Sequence, residues 1–300
     1  MNDWLKGKLS VGISFGYMTS AELIGLLDEY SEYIHDVFFS PTESLRLQTR
    51  LKIYDFSSTT NEDRLSELDN VIFFCKGKGI RISLVLNASM SSEEYLYELF
   101  EHYNERYGLD SVTTTSSVAR LLKEKRIIVP IVCSYNEGIK NYEDLQSILN
   151  AGLFDSIVLG NSFIRDFKAF ELIKKQGLTT ILLVNNGCSF GCTNFCRAAG
   201  GDYCSHLFKR RMEKTGDVSI LYAEQSLFPE ELNMYYKNNP RIDVYKLSSR
   251  PITYNEYKDL FDSYVSGYSE PFVKKTSRNY HLYGRLGHFG QYYSGLTTMS

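Results

Sequence analysis

Hydrophobic and polar positions follow a two-part rhythm along this chain. A short run rich in β-branched and aromatic residues is followed by a longer segment whose apolar positions recur at helical spacing. Leu9 to Phe15 is the first such run, closed by Gly16. Thr19 or Ser20 then caps an amphipathic segment from Ala21 to Ile34, with Glu22 in its first turn. Asp36 to Ser40 reads as a second strand stopped by Pro41, and the polar loop after it carries Glu43, Arg46 and Arg50. Glu62 to Gly79 is a helix ending on glycine, Arg81 to Leu86 a third strand running to Asn87, and Ser91 or Ser92 opens a helix to Tyr107 that Gly108 ends.

The second half repeats the pattern. Ser111 to Thr114 is a weak strand, and Ser117 to Lys125 its helix. Ile127 to Val132 reads as a strong strand leading to Cys133, Ser134, Tyr135 and Asn136, and the helix Tyr142 to Asn150 stops at Gly152. Asp155 to Leu159 is a sixth strand closed by Gly160 and Asn161, and Asp166 to Gln176 is its helix. Thr179 to Val184 is a seventh strand, Pro229 to Tyr236 a helix, Asp243 to Leu247 an eighth strand, and Tyr254 to Val265 a final helix. Eight strand-then-helix units with short connections call for a parallel sheet, and at 300 residues the closed (β/α)8 TIM-type barrel is its natural form. The doubly wound open sheet is the runner-up, but no Gly-x-Gly-x-x-Gly follows the first strand. The barrel is expected over residues 1–267, and residues 268–300 form an irregular Gly- and Tyr-rich tail that packs on the barrel or extends from it.

A barrel places its chemistry at the C-terminal ends of its strands. The predicted rim gathers Tyr17, Glu43, Arg46, Asn87, Ser116, Tyr135, Asn136, Asn161, Arg165, Asn185 and Arg250. Three arginines in such a mouth suit an anionic ligand held by charge-assisted hydrogen bonds. Arg250, Glu43 and Asn185 are the candidate catalytic residues, with Glu43 and Glu137 as possible acid–base groups.

The densest chemistry lies after the seventh strand. Of six cysteines, Cys188, Cys192, Cys196 and Cys204 fall within one loop at 185–206, and His206 follows directly. Thiols gathered at the end of a buried strand point to a soft metal centre, iron–sulfur or zinc, over magnesium or calcium. The spacing is Cys-x3-Cys-x3-Cys-x7-Cys. Structural zinc favours Cys-x2-Cys knuckles, whereas thiolates around a cubane [4Fe-4S] cluster tolerate irregular spacing, so iron–sulfur is favoured and zinc is the alternative. The radical S-adenosylmethionine pattern Cys-x3-Cys-x2-Cys differs by one residue and belongs after a first strand, so it is rejected. Cys75 and Cys133 sit inside apolar runs and read as buried structural thiols.

Composition narrows the partners. Thirty-three basic against 36 acidic residues leave a net charge of −3, which argues against a nucleic-acid-coating protein. No run approaches the ~18 consecutive apolar residues of a membrane span, and residues 1–6 lack the apolar core of a signal peptide. A cytoplasmic protein with reduced thiols is the expectation. His206, His281 and His288 read as ordinary surface or helix-face residues, and the 23 tyrosines exceed what this patterning explains.

Leu183-Val184-Asn185-Asn186-Gly187-Cys188-x3-Cys192, with further cysteines and a histidine beyond, resembles the collagenase-like (U32-type) peptidase family. So do Ile157 to Phe163 with the helix reaching Lys174, and Lys246-Leu247-Ser248-Ser249-Arg250 at the end of the last strand. Despite the family's name, many members are iron–sulfur barrels serving oxygen-independent hydroxylation of ribosomal RNA, transfer RNA or ubiquinone precursors, with prephenate implicated as the hydroxyl source. The resemblance implies that Cys188, Cys192, Cys196 and Cys204 are the cluster ligands, with His206 as the alternative to Cys204.

No nucleophile elbow, phosphate loop or His-Glu-x-x-His helix is present, so a conventional hydrolase is set aside. The reading is an iron–sulfur barrel enzyme for a redox or oxygen-independent hydroxylation step on a small or carrier-borne anionic substrate, with a protein partner or electron donor. Its alternative is a non-catalytic barrel in which zinc at the same cysteines staples the loop and the surface binds a protein or peptide.

Overall fold

The alternating runs fold as alternating strands and helices. The computed structural model describes residues 2–13, 18–42, 60–87, 92–160, 163–185, 227–237, 239–247 and 254–268. In chain order these give β1 (Leu9–Gly12), α1 (Ser20–Glu29), β2 (Ile34–Phe39), α2 (Asn61–Gly77), β3 (Arg81–Leu86), α3 (Glu93–Tyr107), β4 (Ser111–Thr114) and α4 (Ser116–Glu124). There follow β5 (Ile131–Cys133), α5 (Tyr142–Ala151), β6 (Ser156–Leu159), α6 (Phe167–Lys175), β7 (Thr179–Leu183), α7 (Pro229–Glu231), β8 (Val244–Leu247) and α8 (Tyr254–Ser266). Each strand pairs in parallel with the next, and β8 pairs with β1, so the sheet closes. The expected (β/α)8 barrel is therefore the fold.

Local chemistry sets the helix ends. The Thr19 side chain accepts from the Glu22 amide and Glu22 returns the bond, which starts α1. Thr60 and Asp63 do the same for α2, and Ser92 caps α3. Gly108 and Gly152 end α3 and α5 at φ of 58° and 62°, a backbone region that favours glycine.

At the opposite end from the mouth, three aspartates clamp successive strands. Asp110, Asp155 and Asp243 each accept a 2.8 Å hydrogen bond from the first or second amide of the preceding strand, at Ile82, Ile131 and Thr180 respectively. Lys174 of α6 closes on Asp243 at 2.8 Å. Buried tyrosines explain part of that residue's abundance. Tyr236, Tyr257 and Tyr264 donate to the carbonyls of Ile164, Gly12 and Leu227 at 2.7, 2.7 and 2.8 Å, tying the π-helical turn at Leu232–Tyr236 and α8 to the backbone of other segments.

Several expectations need correction. The apolar run at Ile127 is not a strand, for β5 is only Ile131–Cys133. Pro130 has no amide to give to a ladder, and Arg126 just before the run adopts φ 57°. Ile127 and Val129 lean on the core while Ile128 is 96% exposed. The first helix ends at Glu29, because Ile34 belongs to β2. Pro229 to Tyr236 is one α-helical turn that widens into a π-helical turn at Leu232–Tyr236. Cys75 and Cys133 are buried thiols, as expected, and desolvation raises the pKa of both.

The π-helical turn carries its own anchor. Arg165, expected on the anion-binding rim, instead forms a two-pronged pair with Glu231 at 2.6 and 2.9 Å, with side-chain exposures of 12% and 2%. Removing one partner leaves a charge buried without compensation. Glu231→Ala is expected to lower the unfolding free energy by roughly 3–5 kcal/mol in urea titration, and a loss below about 1 kcal/mol would contradict this role.

Candidate active site

Alternation along the strands divides side chains between the helix layer and the barrel interior. Leu9, Val11, Val37, Phe39, Ile82, Leu84, Ile157, Leu182, Tyr245 and Leu247 pack with the helices in the main core. The residues between them face inward. On β5 to β8 these are Val132, Val158, Ile181, Leu183 and Val244, which form a separate apolar cluster capped by Tyr135. Gly160 makes room for that cap, because a Cβ there would lie 2.9 Å from the Tyr135 ring.

The other half of the interior is polar. Ser10, Ser83, Ser111 and Thr113 are buried on β1, β3 and β4, and the Ser83 and Thr113 hydroxyls stand 3.5 Å apart. Lys246 of β8 lies between the core residues Tyr245 and Leu247 and so projects inward. In register it faces Leu183 on one side and Ser10 on the other, and Ser10 in turn faces Asp36 of β2.

Asp36 points inward because of an irregularity. The register of β1 and β2 shifts between Leu9 and Ser10: Leu9 faces Ile34 whereas Ser10 faces Asp36, leaving His35 as an extra residue. Strict alternation from Ile34 would send Asp36 toward the helices. The bulge resets the phase, so Asp36 and Phe38 face the interior while Val37 and Phe39 join the outer core. The displaced His35 ring nitrogen Nε2 lies 3.4 Å from Arg81.

The Lys246 ammonium sits 3.8 Å from the centre of the Phe38 ring, a favourable cation–π position. Desolvation by the barrel wall pushes its pKa down to about 8, and the Asp36 charge acts in the opposite direction. No ion pair joins Lys246 to Asp36 among the described residues, and the buried Asp36 Oδ1 has no hydrogen-bond partner. Asn87, which continues the inward phase of β3 at its C-terminal end, likewise has a buried Oδ1 without a partner. A lysine that keeps partial exposure, with unpaired oxygen acceptors on β2 and just after β3, is a chemically unusual feature among the described residues.

Asn185 follows β7 in the phase of Ile181 and Leu183, which places it at the mouth. Glu137 is committed elsewhere, since it accepts from the Ser116 amide at 2.8 Å and the Ser116 hydroxyl at 2.6 Å, capping α4. Its assignment as an acid–base group is therefore withdrawn, and Arg165 is lost to Glu231 as described. Asn136 belongs to a single 3-10 turn after β5. Tyr17, Glu43, Arg46, Arg50, Asn161, Arg250, His206 and the four clustered cysteines Cys188, Cys192, Cys196 and Cys204 lie outside the described residues. Both ends of the cysteine segment are nonetheless placed: it leaves after Asn185, and the Leu227 amide donates to the Val184 carbonyl at 2.7 Å.

No protein-family model and no curated protein sequence matches the chain. Among solved structures it is similar to the U32 peptidase Mk0906, at 14% identity, 81% coverage of this chain, 93% of that chain and a TM-score of 0.49. It is also similar to an HpcH/HpaI aldolase from Desulfitobacterium hafniense DCB-2, at 8% identity, 93% and 95% coverage and a TM-score of 0.40. L-talarate dehydratase from Polaromonas sp. JS666 gives 10% identity, 61% and 48% coverage and a TM-score of 0.40. The barrel assignment itself rests on the strand pairing of this chain.

Lys246 predicts a pH signature. Its folded pKa lies below that of an unfolded lysine, so between about 8 and 10.5 the unfolded chain binds the extra proton and stability rises with pH. Across that window the unfolding free energy of the native protein is expected to gain about 2–3 kcal/mol on that of Lys246→Met. A constant difference between the two proteins would contradict the assignment.

Proposed function

We propose that this chain is a barrel enzyme working at the C-terminal mouth of the sheet, with an iron–sulfur cluster as cofactor. The observation that supports it is the grouping of four cysteines, Cys188, Cys192, Cys196 and Cys204, on one segment that leaves just after β7 and whose far end, at Leu227, bonds the Val184 carbonyl. Four thiols are a donor set that suits a [4Fe-4S] cluster and does not suit magnesium or calcium. His206 is the alternative to Cys204. Such a cluster, when bound, supplies single-electron transfer tuned by burial and hydrogen bonding.

The reaction proposed is a redox or oxygen-independent hydroxylation step on a small or carrier-borne anionic substrate, in a cytoplasmic setting and with an electron donor as partner. The residues of the chain bind and orient that substrate. Arg250 follows β8 and Glu43 follows β2 in sequence, so both belong to mouth segments, and Asn185 stands at the rim of β7. Arg250 is assigned the anionic group of the substrate, where its planar fork matches a carboxylate or phosphate. The polar interior beneath, from Lys246 through Ser10 to Asp36, forms the floor of the mouth.

Metal analysis of protein purified without oxygen tests the reading. Iron and acid-labile sulfide near about four each per chain, with broad absorption in the visible, are expected. Both should be lost in Cys192→Ser while the barrel still unfolds cooperatively. Zinc in a colourless protein would instead establish the stapled, non-catalytic alternative.

A further inference from the structure

The interior of a (β/α)8 barrel is ordinarily packed with branched apolar side chains. Here one half follows that rule, through Val132, Val158, Ile181, Leu183 and Val244, and the other half breaks it with a lysine and an aspartate. Ser10, between Lys246 and Asp36 in register, adds almost no bulk. Neighbouring strands lie about 4.8 Å apart, so Lys246 and Asp36 are separated by roughly 10 Å of backbone, bridged from one side by the lysine arm.

The geometry costs stability, which makes its function the question. Desolvation of the Lys246 amine without a direct counter-ion disfavours its charged form, and the Phe38 ring beside it offsets that only in part. The bulge at His35 also turns a carboxylate away from the helix layer and into the sheet interior. Two buried oxygens, Asp36 Oδ1 and Asn87 Oδ1, are left without partners on the same polar side. A ligand that reacts with an amine and donates hydrogen bonds accounts for the desolvated lysine and for both unpartnered oxygens.

We infer that Lys246 is a nucleophilic amine that condenses with the carbonyl group of a small aldehyde or ketone to form an imine within the barrel mouth. The neutral amine lone pair attacks the carbonyl carbon, a C–N bond forms, and the carbonyl π electrons move to oxygen. One proton passes from nitrogen to that oxygen to give the carbinolamine, a second follows it as the C–O bond breaks, and one water molecule departs as the C=N bond closes. Nothing is oxidised or reduced. The neighbouring strands present the neutral Ser10 and Leu183 to Lys246, and Asp36, one strand further on β2, is the charge that favours the protonated amine. The inference does not depend on the cluster, and its test reads Lys246 whether or not metal is bound.

The depressed pKa of about 8 leaves far more free amine near neutrality than the ~10.4 of an ordinary lysine. The native protein is incubated near pH 7 with glyoxylate as the aldehyde probe and cyanoborohydride, which delivers hydride to the imine carbon and fixes it as a secondary amine. Peptide mapping by mass spectrometry then reads carboxymethylation at every lysine. Lys246 is expected to be modified at least about tenfold faster than any other lysine. Asp36→Asn removes the charge that holds the proton on Lys246, so the modification should speed up by a few-fold in that variant. Modification of native Lys246 at the rate of surface lysines, or none at all, overturns the inference. A decrease in Asp36→Asn that leaves native Lys246 fast overturns the part assigned to Asp36. The mapping on native protein stands even where a variant fails to fold.

Discussion

Closure of eight parallel strands into one barrel is the constraint on which this molecule depends. Once β8 pairs with β1, every strand residue must face either the helix layer or a narrow interior, and no edge remains where a misplaced side chain can escape to solvent. A single extra residue then has large consequences. The irregularity between Leu9 and Ser10 reverses the facing of β2 beyond His35 and turns Asp36 inward, opposite Ser10 and across from Lys246. The same shift sends Val37 and Phe39 outward, where Phe39 packs against Tyr103 and Tyr107 of α3. Site and core are thus set by one irregularity.

The rest of the fold keeps that interior in place. Aspartates 110, 155 and 243 pin the starts of adjacent strands, and the Glu231–Arg165 pair anchors the chain where it returns from the cysteine segment. Tyr257 ties α8 to the Gly12 carbonyl, beside the strand that carries Ser10. Tyr135 lies over the apolar half of the interior at Gly160. The polar half is therefore left to Ser10, Asp36 and Lys246, and the cysteine segment begins and ends one strand away from Lys246.

Much of the fold is legible in sequence, because parallel barrels write their strands as short apolar runs and their helices as capped periodic segments. Arg81–Leu86 and Ser111–Thr114 are read to the residue, and Ser92, Gly108 and Gly152 mark helix ends through side-chain capping and left-handed backbone. The run at Ile127 misleads because hydrophobicity alone does not distinguish a strand from a loop leaning on the core, although Pro130 in its path was a warning. Arg165 and Glu137 look like free rim residues in sequence; their partners, Glu231 and Ser116, are 66 and 21 positions away. Lys246 left a signal that the clustered cysteines overshadow: a charged residue inside a strand buried on both faces has nowhere to go but the barrel interior. Its relation to Asp36 was not legible, since it depends on a register shift that no local pattern records.

The most direct test is a titration of the Lys246 side chain by nuclear magnetic resonance, with lysine labelled at the ε position and the signal assigned through Lys246→Arg. The midpoint is expected near 8 in the native protein, and lower still in Asp36→Asn, where the stabilising charge is gone. A midpoint at the ~10.4 of an ordinary lysine, unmoved by the loss of Asp36, would show that the amine is solvated and that the barrel interior does not hold the site described here.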